Sequence, residues 1–107
     1  MAVSAIVMGA GLGIDVPGAS AQEMTAGVIL EKMSGAERVA YLAGIIEGLA
    51  YARYVKDDKQ AAGMGCIYDW FYKTRGRSLD IEKAFGRYKE HSPGAIVAAL
   101  VTKECGK

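Results

Sequence analysis

Histidine occurs once in this sequence, and cysteine and proline twice each. One His and two Cys do not complete a zinc site unless carboxylates join them. Charge of one sign is also in short supply. Thirteen Lys and Arg stand against twelve Asp and Glu, a formal net charge of +1. A general nucleic-acid binder carries a strong basic excess, and this chain does not. Catalytic signatures are absent: there is no G-x-S-x-G, no H-E-x-x-H and no phosphate-binding loop. His91 lies just before Ser92-Pro93, a helix-junction position that reads as surface or capping. Asp57 and Asp58 are enclosed by Lys56 and Lys59, which reads as a solvated loop rather than a carboxylate pair. Glu47 sits among apolar residues, with Tyr51 or Arg53 as candidate partners. The expectation is a non-enzymatic protein without cofactor or metal.

What is present is apolar. Hydrophobic residues make up 51% of the 107, which excludes a disordered chain. The length allows one small domain, of a size that buries only about 60–65% of its unfolded surface and gains from a staple. Mean hydropathy is +0.13, and the excess sits at the start. Met1 to Ile14 is uncharged, Asp15-Val16-Pro17-Gly18 breaks any helix, and Ala19-Ser20-Ala21 follows. That pattern reads as a secretory signal peptide over residues 1–21, cleaved before Gln22. The run is too short to span a bilayer comfortably, so no stable membrane insertion is expected after cleavage. No Lys or Arg precedes the run, which points to a true start further upstream. The remaining residues, 22–107, form a single domain with mean hydropathy of about −0.2, an ordinary value for a folded soluble domain.

Export alters the cysteine reading. In an oxidising compartment, two Cys in a small domain are most simply one disulfide. Cys66 and Cys105 would close a loop worth roughly 4 kcal/mol by the chain-entropy argument.

The exported part reads as helix almost throughout, because Val and Ile recur at three and four rather than two. The expected class is all-α: a bundle of four to five helices stapled by one disulfide. A short helix is expected over 24–33. Ser34 and Glu37 have the spacing of a capping box, opening a helix over 35–55 with Val39, Leu42, Ile46 and Leu49 as its core stripe. Lys56 to Gly65 reads as a loop. Ser78 is placed as the cap of a helix over 79–90, with Ile81, Ala84, Phe85 and Tyr88 inward. Ser92 followed by Pro93 starts a last helix over 93–103, with Ile96, Val97, Leu100 and Val101 inward.

Two patterns suggest contact with a partner. Ala36, Ala40, Gly44, Gly48 and Ala52 are small and four apart. Such a row suits close packing along an i±4 ridge, either inside the bundle or as a homodimer face. The segment from Cys66 holds Tyr68, Trp70, Phe71 and Tyr72, followed by Lys73, Arg75 and Arg77. Stacking on single-stranded nucleic acid is one use of that combination. A short amphipathic helix anchoring the disulfide is the simpler one. Trp70, Tyr72, Arg75 and Arg77 are then candidate contacts for a protein partner, since Trp, Tyr and Arg are enriched in interface hot spots.

The block from Ala36 to Gly106, about 70 residues, resembles the Rap/Tai family of type VI secretion immunity proteins. The resemblance rests on Tyr41-Leu42-x-Gly44-x-x-x-Gly48 and on the Cys66-Ile67 opening. It also rests on Tyr88-Lys89-Glu90-His91-Ser92-Pro93, on Ala98-Ala99-Leu100 and on Cys105. Where relatives often have Pro after Cys-Ile, this chain has Tyr68, and Lys103-Glu104 replaces a Phe-Pro before the last Cys. The resemblance implies a small helical protein in the periplasm of a Gram-negative bacterium. It would bind and neutralise a toxin, a peptidoglycan amidase effector. The alternative class is the HdeA-like periplasmic acid-stress chaperones, which are also helical, exported and joined by one disulfide. Those chains place most of their helical core inside the disulfide loop, whereas about half of this exported chain precedes Cys66.

Overall fold

Three hydroxyl side chains start three of the helices. A computed structural model describes residues 24–107; the signal peptide assigned to 1–21 and its cleavage before Gln22 lie outside the described residues. Thr25 caps α1 (Ala26–Lys32), its Oγ1 accepting from Val28 N at 3.3 Å. Ser34 caps α2 (Gly35–Lys56) through a complete capping box: Ser34 Oγ accepts from Glu37 N at 3.2 Å, and Glu37 Oε1 accepts from Ser34 N at 2.8 Å. Ser92 caps α5 (Pro93–Cys105), with Pro93 in the first turn and Ala95 N donating to Ser92 Oγ at 3.1 Å. Each cap satisfies an amide that a helix start would otherwise leave unpaired.

The other two helices begin without a side-chain cap, and the sequence misplaces both starts. α3 (Ala62–Tyr72) begins four residues before Cys66, in what reads as loop. Gly63 and Gly65 disfavour a helix by propensity, yet Gly63 is buried and Arg53 lies across it: a Cβ there would stand 2.5 Å from Arg53 Nε. Packing against α2 therefore overrides propensity. α4 (Arg77–Arg87) starts after Gly76, in a left-handed conformation with φ of 80°, rather than at Ser78. It also ends at Arg87, so Tyr88 lies outside it and is half exposed.

The five helices form an all-α bundle, with no strand among the described residues. Its core is one cluster. Ile29 of α1, Leu42, Ile46 and Ala50 of α2, Ile67, Trp70 and Phe71 of α3, Ile81 and Phe85 of α4, and Val97 and Val101 of α5 all contribute. Full burial of an Ile, Leu or Phe side chain contributes about 1.5–3 kcal/mol. α2 packs mainly on α3, and α1 mainly on α4. Val39, expected in the core stripe of α2, is 47% exposed, and Ala50 is buried in its stead. At 100° per residue Val39 lies between Ile46 and Ala50 around the helix, so its exposure reflects its place near the start of α2 rather than a rotated inward face.

Polar links fix the ends. Ala26 N donates to His91 O and Gly27 N to Lys89 O, both at 2.9 Å, so the turn between α4 and α5 closes the start of α1. Arg38 of α2 donates through Nη1 to Met33 O at 2.6 Å. Its Nε lies 3.2 Å from Glu82 Oε2 of α4; the pair is an ion contact, since the N–H is not aimed at the carboxylate. Cys66 and Cys105 are joined, with Cα atoms 5.9 Å apart, pinning the end of α5 to α3. Among the described residues no helix is long and apolar enough to cross a membrane.

Candidate functional site

The aromatic-basic segment does not make one patch. Trp70 is buried on the core side of α3, only 7% exposed. Arg77 stands over its ring, with the guanidinium carbon 4.7 Å from the centroid. Arg77 Nε also donates to Trp70 O at 2.9 Å, and Nη1 to Asp80 Oδ2 at 3.2 Å. Trp70 and Arg77 therefore serve as the hinge between α3 and α4: Arg77 closes a free carbonyl at the end of α3 and stacks on the ring it covers. Tyr72, two residues on, points away from Trp70. It packs edge-on against Phe71, and its hydroxyl approaches Glu47 Oε2 at 3.5 Å. Arg75 is exposed. The structure brings Trp70 and Arg77 together and leaves Tyr72 and Arg75 apart from them.

Glu47 finds its partners on α3, not at Tyr51 or Arg53. Tyr68 donates to Glu47 Oε1 at 2.9 Å, and Tyr68 and Tyr72 lie with ring centroids 6.1 Å apart. The hydrogen bond to Glu47 pushes the Tyr68 phenol above its ordinary value. Loss of hydration pushes Tyr72 up, and the Glu47 charge adds to it. Arg53 instead pairs with Asp57 at 2.8 Å and donates to Gly106 O at 3.0 Å.

The small-residue row lies on the outside of α2. Ala36, Ala40, Gly44, Gly48 and Ala52 are all exposed, and a Cβ built at Gly44 or Gly48 meets nothing within 4 Å among the described residues. Close packing inside the bundle is thus not what these residues do. Tyr51, 65% exposed, and Val55 flank the row and widen it into an apolar face along one side of the helix. The spacing announced a row of small residues; it could not say which way the row points.

A second surface has no single motif in the sequence. The antiparallel helices α4 and α5 enclose two adjoining hollows of about 450 and 460 Å³, which share Ala84, Arg87, Leu100 and Lys103. Ala84, Ile96, Ala99 and Leu100 form the apolar floor of the first hollow, and the Trp70 ring lines the second. Arg77, Lys83, Arg87 and Lys103 stand along the rim with two acids, Asp80 and Glu104, among them, and Tyr88 and His91 close one end with their rings edge to face at 5.6 Å. Contributing residues recur at i, i+3, i+4 and i+7 on α4, but only the hairpin with α5 turns them into a groove. Among the described residues no three potential metal-ligating side chains come together.

The fold and these surfaces define a disulfide-stapled, all-helical small domain. Comparison with family models, with curated proteins and with solved structures finds no match for this chain.

Proposed function

We propose that this chain is an exported, non-enzymatic protein-binding domain of the periplasm. Its partner is a toxin of the kind the Rap/Tai resemblance implies, a peptidoglycan amidase effector that it binds and neutralises. The supporting observation is the outward face of α2. A Gly inside a helix costs about 1 kcal/mol against Ala. Gly44 and Gly48 both incur that cost where the described fold leaves room for a side chain. Small residues at such positions suit the close approach of another protein, and Tyr51 and Val55 supply apolar area beside them.

The test is recovery of the tagged chain from periplasm. The recovered chain should begin at Gln22 and be lighter than its reduced form by two hydrogens. It should carry an amidase and inhibit it. Gly44→Leu with Gly48→Leu should lose that partner without lowering the thermal transition. Recovery without any toxin, together with unchanged survival of a deletion strain beside its siblings, overturns the reading.

A further inference from the structure

The groove between α4 and α5 is separate from the α2 face, and its chemistry is different. Its rim gathers Lys83, Arg87 and Lys103, none of which has an ion-pair partner among the described residues, against the single unpaired acid Glu104, so the rim carries a net positive charge. Arg77 is already engaged by Asp80 and by the Trp70 ring. Across the whole chain, positive and negative groups nearly cancel. The positive rim is therefore a local arrangement made by the fold, not a reflection of composition. Beneath it, Ala84 and Ile96 are buried, and Leu100 is partly open to the hollow.

We infer that this groove binds an acidic amphipathic helix of a partner protein. The inference rests on the protein-binding reading and assigns a second contact to it. Charge complementarity selects the sign: carboxylates flanking an apolar stripe would meet Lys83, Arg87 and Lys103 while the stripe covers Leu100 and Ala99. The shape selects a helix. From Arg77 to Arg87 the α4 wall runs about 15 Å at the helical rise, enough for about three turns of a guest helix. The walls are themselves helices, and no strand edge exists among the described residues for an extended peptide to join. Tyr88 and His91 pack edge to face on each other and Arg77 covers the Trp70 ring, so the groove presents no open row of ring faces for stacked bases, which disfavours single-stranded nucleic acid. A concave channel also fits a rod better than a flat anionic membrane.

The probe is a fluorescent synthetic helix of about 15 residues, with Leu at helical spacing and Glu between. A Lys-for-Glu version and an uncharged Gln version serve as controls. Anisotropy titrations use the full exported chain with its disulfide intact. The acidic helix should bind and the Lys version should not. Binding should weaken roughly tenfold on raising salt from low to high, as rim charges are screened. Arg87→Glu with Lys103→Glu should abolish it, whereas Arg87→Lys with Lys103→Arg should retain it. Both positions are exposed but lie in the last turns of their helices, so a thermal scan of the Glu variant accompanies the titration. Equal binding of the Gln version, indifference to the Glu substitutions, or tighter binding of single-stranded DNA or anionic vesicles overturns the proposal. Gly44→Leu with Gly48→Leu should leave peptide binding unchanged. If the acidic helix fails to bind while that α2 variant still loses its periplasmic partner, the groove proposal falls and the protein-binding reading stands.

Discussion

Two regions of α2 treat backbone freedom in opposite ways. Along its outer face, Gly44 and Gly48 occupy ordinary helical positions where nothing crowds a Cβ. In the turn that follows, Asp58 and Lys59 carry side chains although both adopt left-handed backbone, with φ of 56° and 65°. Folding alone would favour the reverse arrangement, with side chains on the helix and glycine in the turn. The turn is explained locally. Asp58 N donates to Val55 O at 3.1 Å and Lys59 N to Tyr54 O at 2.8 Å, closing the last carbonyls of the helix. Nothing within the described fold accounts for the two glycines, and that difference is what the proposed partner contact on the outer face would explain. Gly63 on α3 shows a glycine the fold does require, because Arg53 fills the space of its Cβ.

Substitutions should separate these roles by their effect on urea unfolding. Leu42 on the inner face is fully buried, and Leu42→Ala should cost about 2–5 kcal/mol, whereas Val39→Ala near the exposed start of α2 should cost less than about 0.5 kcal/mol. Equal losses at the two sites would erase the distinction between them. Gly63→Ala should cost about 1–3 kcal/mol, since the clash reaches Arg53 Cγ as well as its guanidinium. Gly44→Ala with Gly48→Ala should do the opposite and raise stability by about 1–2 kcal/mol. A loss there would mean that the backbone, not a partner, needs these glycines. Lys59→Gly should stabilise by about 0.5–1 kcal/mol, with the midpoint shift as the readout.

The mildest effect concerns pH. Tyr68 and Tyr72 are held above their ordinary value, so the fold favours their neutral forms. A group whose folded pKa is raised lends stability that is whole below the unfolded value, near 10. That stability is lost as pH rises through the higher folded value. Absorbance at the phenolate band should show a late-titrating component, and Glu47→Gln should lower the Tyr68 value most and the Tyr72 value less, since loss of hydration holds Tyr72 up as well. An unchanged titration would remove Glu47 as the cause at Tyr68.

Much of the framework was legible in the sequence where the governing chemistry is local. Ser34 with Glu37, and Ser92 with Pro93, announce helix starts because the groups that satisfy each other lie within one turn. The start of α3 was not legible, because its favourable term is a contact with Arg53 across the bundle. Ser78 looks like a cap, but the left-handed Gly76 and the bonds of Arg77 to Trp70 O and Asp80 start α4 sooner. The four proposed contact residues at the aromatic segment were adjacent in sequence, yet Trp70 and Tyr72 diverge because residues two apart on a helix face away from one another.

The amino-acid sequence by itself determined that this protein is helical, that its two cysteines pair, and that a row of small residues runs along its longest helix. Periodicity, capping and residue count carry those facts without reference to distant parts of the chain. Only the tertiary structure decided that the row faces outward, that Glu47 answers to tyrosines of the neighbouring helix, and that scattered lysines and arginines gather over an apolar groove. Each of these depends on the angle at which one helix lies against another, and that angle is set by the whole core.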